Sequence, residues 1–134
     1  MNRLRQGAKG EFSAIVDDSH TASAMGNPKV NVLATPAVAW LFEGAASAAL
    51  IPVMKEGEIS VGTSMFIRHL KPTPPGMTVR AVATLRESKG NRYVFDVQVT
   101  DEVELVADGT IERAFIDRKR FERTVAEKLK PVAV

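Results

Sequence analysis

Between Pro36 and Met54 the chain carries a single charged side chain, Glu43. An ionised carboxylate in so apolar a stretch is expensive to desolvate, and it persists only with a partner or a tightened hold on its proton. Glu43 is therefore either a group that caps a backbone donor or reaches water at a sheet edge, or a base or nucleophile. His69 stands near the end of a run that places it with Val61, Met65 and Ile67, where an imidazole is either a satisfied core side chain or an acid–base group. Thr35 precedes Pro36, and its hydroxyl either caps a helix start or orients water or substrate. A shared locus for the three would give acid–base chemistry on a water or an acyl group.

What the chain lacks narrows the chemistry further. It has 134 residues, no cysteine and two histidines, His20 and His69, which removes thiolate nucleophiles, disulfides, iron–sulfur clusters and cysteine-rich zinc sites, and leaves a metal site unexpected. The net charge of +2 is too small for a protein whose main partner is a polyanion. Residues 113–130 hold seven basic and three acidic side chains, from Arg113 to Lys130, and read as a solvated helix face because no aromatic residues interleave for base stacking. Neither a nucleic acid nor a membrane is expected as a partner. Arg3, Arg5 and Lys9 have no apolar run behind them, so the first twelve residues do not read as a signal peptide, and a soluble cytoplasmic protein is expected.

The elements that must position these residues follow from periodicity. Phe12, Ala14 and Val16 alternate in a short strand over 10–17, and the polar stretch 18–31 reads as a long loop of the lid or partner-contacting kind. Thr35 as N-cap with Pro36 in the first turn opens a helix whose apolar positions run from Val38 to Leu50, ended by Pro52 and Gly57. It is apolar nearly all round, which predicts a buried central helix, and the small run Gly44–Ala49 permits close approach of a sheet or a second helix. Four alternating segments follow: 59–70, with Ile59, Val61, Thr63, Met65, Ile67 and His69 on one face; 77–86; 93–99; and 105–116, blurred at 107–109 as by a bulge. Phe121, Val125 and Leu129 mark a charged C-terminal helix. Pro72–Gly76, Lys89–Asn91 and Asp101–Glu102 read as turns, and connections this short predict antiparallel strands. The fold class is α+β, one domain over 1–134, with five antiparallel strands and one inner helix.

Three segments carry a resemblance. Val32-Leu33-Ala34-Thr35-Pro36 with Glu43 eight residues on, Ser60-Val61-Gly62-Thr63, and Arg68-His69-Leu70-Lys71-Pro72-Thr73-Pro74-Pro75-Gly76-Met77 resemble the hotdog-fold acyl-CoA thioesterases of the fluoroacetyl-CoA thioesterase type, in order and over roughly residues 12–121. The resemblance implies a long helix wrapped by a curved sheet, and a homodimer or dimer of dimers with active sites at the subunit interface. It implies acyl-CoA thioesters as substrates, with coenzyme A entering as part of the substrate and no other cofactor. Thr35, Glu43 and His69 fall on the family's catalytic residues, and Gly62 on a glycine whose backbone lies beside the acyl group. Glu43 would then activate water or attack the carbonyl, its pKa lifted toward ~6–7 by burial. Thr35 and the helix N-terminus would serve water, substrate and oxyanion, and His69 would protonate the thiolate or hold Glu43 and the substrate.

The resemblance breaks at one segment. The fluoroacetyl-selective enzyme has phenylalanines before its catalytic threonine, whereas residues 25–31 here, Met25 to Asn31, contain no aromatic side chain. A broader or different short-chain acyl group is expected, with Trp40 or Met25 shaping the pocket and Lys29, Lys71 and Arg92 as candidates for the CoA phosphates. A non-catalytic acyl-CoA or small-ligand binding module on the same fold is the alternative. A hydratase is disfavoured, since neither histidine has an aspartate five positions before it.

Overall fold

A computed structural model describes residues 3–131; the extreme ends of the expected 1–134 domain lie outside the described residues. Helix α1 (Thr35–Leu50) is rich in alanine and leaves its last turn through a short 3-10 segment at Ile51–Val53 that contains Pro52. Its residue before the first turn is Ala34, in extended conformation and without a side-chain cap. Thr35 is thus inside the helix rather than its cap.

Five strands form one antiparallel sheet: β1 (Lys9–Ile15), β2 (Glu58–His69), β3 (Thr78–Lys89), β4 (Arg92–Thr100) and β5 (Leu105–Asp117), in the order β1-β3-β4-β5-β2. Consecutive β2 and β3 therefore do not pair. The proline-rich segment 70–77 cannot close a hairpin ladder, and it crosses from one side of the sheet to the other instead. It is pinned on the way: Thr73 is fully buried, its carbonyl accepts from Leu33 N at 2.8 Å, and its hydroxyl donates to Asp101 at 2.9 Å.

The sheet's inner face packs on α1 through Val79, Ala81, Ala83, Leu85, Phe95, Val97, Ile111 and Phe115, against Val38, Leu41, Phe42, Ala45, Ala46 and Leu50. The small run on α1 serves the sheet. A Cβ at Gly10 of β1 would overlap the Ala45 carbonyl oxygen and stand 2.5 Å from Ala49 N, so strand and helix touch backbone to backbone. One face of α1 is left open, however: Trp40 is 45% exposed, Ile51 60%, and Ala39, Glu43, Ser47 and Ala48 are half-buried. Segment 35–53 has the length and hydropathy of a membrane span, yet its helix is the core helix on one side only.

Each irregularity in the sheet adds one residue to one strand. The bulge expected in β5 at 107–109 lies just before that range, at Val106, where Val99 faces Ala107 and Thr100 faces Leu105. A second lies at Thr63 in β2, between the Gly62–Arg113 and Ser64–Glu112 pairs. Helix α2 (Arg118–Lys128) follows β5, capped by the Asp117 side chain on Arg120 N at 2.8 Å, and leaves Phe121, Val125 and Leu129 exposed. The basic run splits accordingly, because Arg113 belongs to β5 and is buried rather than solvated.

Candidate active site

Thr35 is fixed from two sides. Ala34 N donates to the His20 carbonyl at 2.9 Å, Leu33 N to Thr73, and the Ala34 carbonyl takes Ala37 N at 3.0 Å, so the loop before the helix and the crossing after β2 set where α1 begins. With no capping duty, the Thr35 hydroxyl is 2.9 Å from Nδ1 of His69. Nε2 of His69 is buried and has no partner among the described residues. Burial pushes the His69 imidazole below its ordinary value, so the neutral ring is its resting form.

Glu43 lies two turns further along α1. Its Oε2 accepts from Nη1 of Arg113, while a Cβ at Gly62 would come within 2.6 Å of Oε1. The carboxylate is thus held between a guanidinium and a bare strand backbone. Its side chain is 41% exposed in one chain. Arg113 is 7% exposed, and burial draws its guanidinium below its ordinary value; it stays charged all the same. Its other nitrogens, Nε and Nη2, donate to Oγ and the carbonyl of Ser60, each at 2.9 Å.

The four expected residues form two pairs along one helix, Thr35 with His69 and Glu43 with Gly62. The bulge at Thr63 makes this possible. Gly62 and His69 are seven positions apart, and strict alternation puts them on opposite faces; one extra residue brings both to α1. The expectation that Ile59, Val61 and Thr63 share the face of His69 fails for the same reason.

Arg113 and Ser60 are the site residues that sequence reasoning missed. The signal was an arginine in phase with Ile111 and Phe115, on the apolar face of its strand. Of the other candidates, Lys71 borders a groove of about 230 Å³ lined by Val32, His69, Leu70 and Pro72. Lys29 is exposed in the loop with φ 71°, and Arg92 pairs with Glu112, which alternates with inward-facing Arg113 and so lies on the sheet's other face. Trp40 stacks on His20 with centroids 5.2 Å apart and meets Phe12 edge-on, while Met25 is exposed in the loop. Among the described residues no group of three acidic or imidazole side chains is placed to hold a metal ion.

A curved antiparallel sheet around one helix is the fold of hot-dog-like proteins. A hot-dog-like protein from Thermanaerovibrio acidaminovorans matches the fold with a TM-score of 0.88 at 24% identity, over 97% of this chain and 96% of its own. A threonine-to-serine mutant of the fluoroacetyl-CoA thioesterase FlK, solved in complex with acetyl-CoA, matches with a TM-score of 0.89 at 31% identity, over 95% of this chain and all of its own. The model of the family described as fluoroacetyl-CoA-specific thioesterase matches residues 16–119. The fluoroacetyl-CoA thioesterase of Streptantibioticus cattleyicolor is 38% identical over 97 residues, covering 72% of this chain and 70% of that protein. The chain belongs to this thioesterase family.

Proposed function

We propose that the protein hydrolyses small acyl-CoA thioesters to a carboxylate and free coenzyme A, with Glu43 as the reacting carboxylate. The observation that carries this is the Glu43 carboxylate on the open face of α1, oriented by Arg113 and backed by a glycine that leaves it room. In the simplest course Glu43 takes a proton from water, the hydroxide forms the new C–O bond at the thioester carbon, the C–S bond breaks, and the proton returns to sulfur. A neutral His69 is a weak proton donor, so its role is with Thr35: the pair orients water or the acyl oxygen. The Thr35 N–H is the backbone donor we assign to the oxyanion, since Pro36 has none and the Ala37 and Val38 N–H groups are spent on Ala34.

The acyl group we propose is small and not restricted to fluoroacetyl, because residues 25–31 bring no aromatic wall. Lys71, beside His69, is the best-placed cation for a CoA phosphate. No cofactor is called for. A homodimer completes the proposal: β2 is a twelve-residue edge strand with Phe66 60% exposed, and the face of α1 that bears Glu43 is uncovered in one chain. The cytoplasm, where acyl-CoA substrates and a cysteine-free chain are both at home, is the proposed setting.

The test is free-thiol release from acetyl-, branched short-chain, medium-chain and aryl-acetyl-CoA, with wild type beside Glu43→Gln. We expect turnover of the short esters and a loss of at least about 100-fold in the variant, with the fold intact by circular dichroism. Binding of the esters without thiol release by wild type would end the proposal.

A further inference from the structure

We infer that Ser60 is a positioning residue for Glu43, acting through Arg113. This rests on reading Glu43 as the reacting carboxylate. Three nitrogens of Arg113 have partners, and Ser60 supplies two of them, its hydroxyl to Nε and its carbonyl to Nη2. A guanidinium is planar, so fixing Nε and Nη2 fixes the direction of Nη1. Nη1 then decides which oxygen of Glu43 is engaged. Oε2 is taken, and Oε1, beside Gly62, is the oxygen left to accept a proton or attack. The strand that bears Ser60 is itself locked in place, because Gly62 faces Arg113 across the β2–β5 ladder.

The charged surroundings of Glu43 are simple. Arg113 from β5 meets it, and α1 has no other charged side chain. From β2, Ser60 and Gly62 bring no charge, His69 stands with Thr35, Glu58 binds Arg3, and Arg68 binds Asp108. On β1, β3 and β4, Glu11 pairs with Arg80, Arg86 with Asp96 and Arg92 with Glu112, while Lys9, Glu87 and Lys89 are exposed. Loosening Arg113 therefore removes the one cation, among the described residues, that favours the ionised carboxylate.

Removing the Ser60 hydroxyl leaves Nε of a buried guanidinium without an acceptor, and Arg113 swings away to find one. The experiment uses full-length protein labelled at the glutamate carboxyl carbon, with the Glu43 resonance assigned by its loss in Glu43→Gln. In Ser60→Ala the Glu43 titration midpoint moves up by about one unit. The same variant loses between about 10-fold and 100-fold in kcat on acetyl-CoA, with KM nearly unchanged. Ser60→Thr, which keeps the hydroxyl, restores both. If Ser60→Ala does not fold, Ser60→Cys, which keeps the size of the side chain but offers Nε only a weak sulfur acceptor, should show a shift in the same direction. A midpoint that stays put in these variants overturns the inference, whatever the activity does. A midpoint that moves while wild type turns over no thioester leaves the Ser60 coupling standing and removes the hydrolase reading.

Discussion

Gly62 yields a test that separates chemistry from folding. Its φ is not positive and it sits exposed on an edge strand, so an added methyl costs the backbone nothing and reduces chain entropy in the unfolded state. The methyl would nonetheless stand 2.6 Å from Glu43 Oε1 and displace it. Gly62→Ala should therefore lose at least about 10-fold in kcat while its melting temperature holds or rises, as activity assays and calorimetry on one sample would show. His69 gives a second test at this scale. Its folded imidazole is held below the ordinary value, so the unfolded chain takes up a proton first, and this group's share of stability is full at neutral pH and falls as pH drops below about 6.5. Urea titrations at neutral and mildly acidic pH should show a loss in wild type that His69→Gln lacks. The carboxylates with depressed pKa, Asp17, Glu58, Asp101 and Asp108, act in the same direction but in a lower window. Thr35, Glu43 and His69 could be singled out from residue type and neighbours alone. Arg113 is harder to single out, because its sign and its place before a basic helix make it look solvated and only its phase with Ile111 and Phe115 says otherwise.

At the level of elements, contact between β1 and α1 has no slack. Gly10 lies against helix backbone, which cannot give way as a flexible side chain can. Gly10→Ala should cost about 3 kcal/mol, at the upper end for overpacking, and lower the melting temperature by roughly 6–15 °C. A melting curve unchanged within a degree would mean the two elements are not packed backbone to backbone. The helix and all five strands were legible in the periodicity, with ends shifted by a few residues, since hydrophobic spacing is a local signal. Strand order was not. Nothing in the alternation of 59–70 or 77–86 says that the prolines between them cross the sheet, because pairing partners are chosen by the packing of the whole and by contacts such as Thr73 with Asp101. The N-cap was misread for a similar reason: Thr35 has the right chemistry for a cap, but His69, thirty-four residues away, claims its hydroxyl.

For the whole molecule, one chain leaves a site half walled. The open face of α1 and the free edge of β2 adjoin, so a second copy paired edge to edge would cover both at once. Ultracentrifugation should find a dimer, and Phe66→Lys, which puts a charge in place of an exposed phenylalanine on that edge strand, should weaken it and lower activity in step. A monomer with full activity would contradict this. The bulge at Thr63 has a consequence for how such a chain can change its length. Between Gly62 and His69 the count of residues has a parity: removing or adding one flips half the site to solvent, whereas two leave its sidedness intact. Deleting Thr63 should turn His69 away from Thr35 together with Met65 and Ile67, which pack against the core, and bring Phe66 and Arg68 inward, so that hydrolysis is lost and the melting temperature falls. The irregularity therefore holds apolar and polar groups of β2 toward α1 at once, and neither packing nor the Thr35–His69 contact would survive its loss.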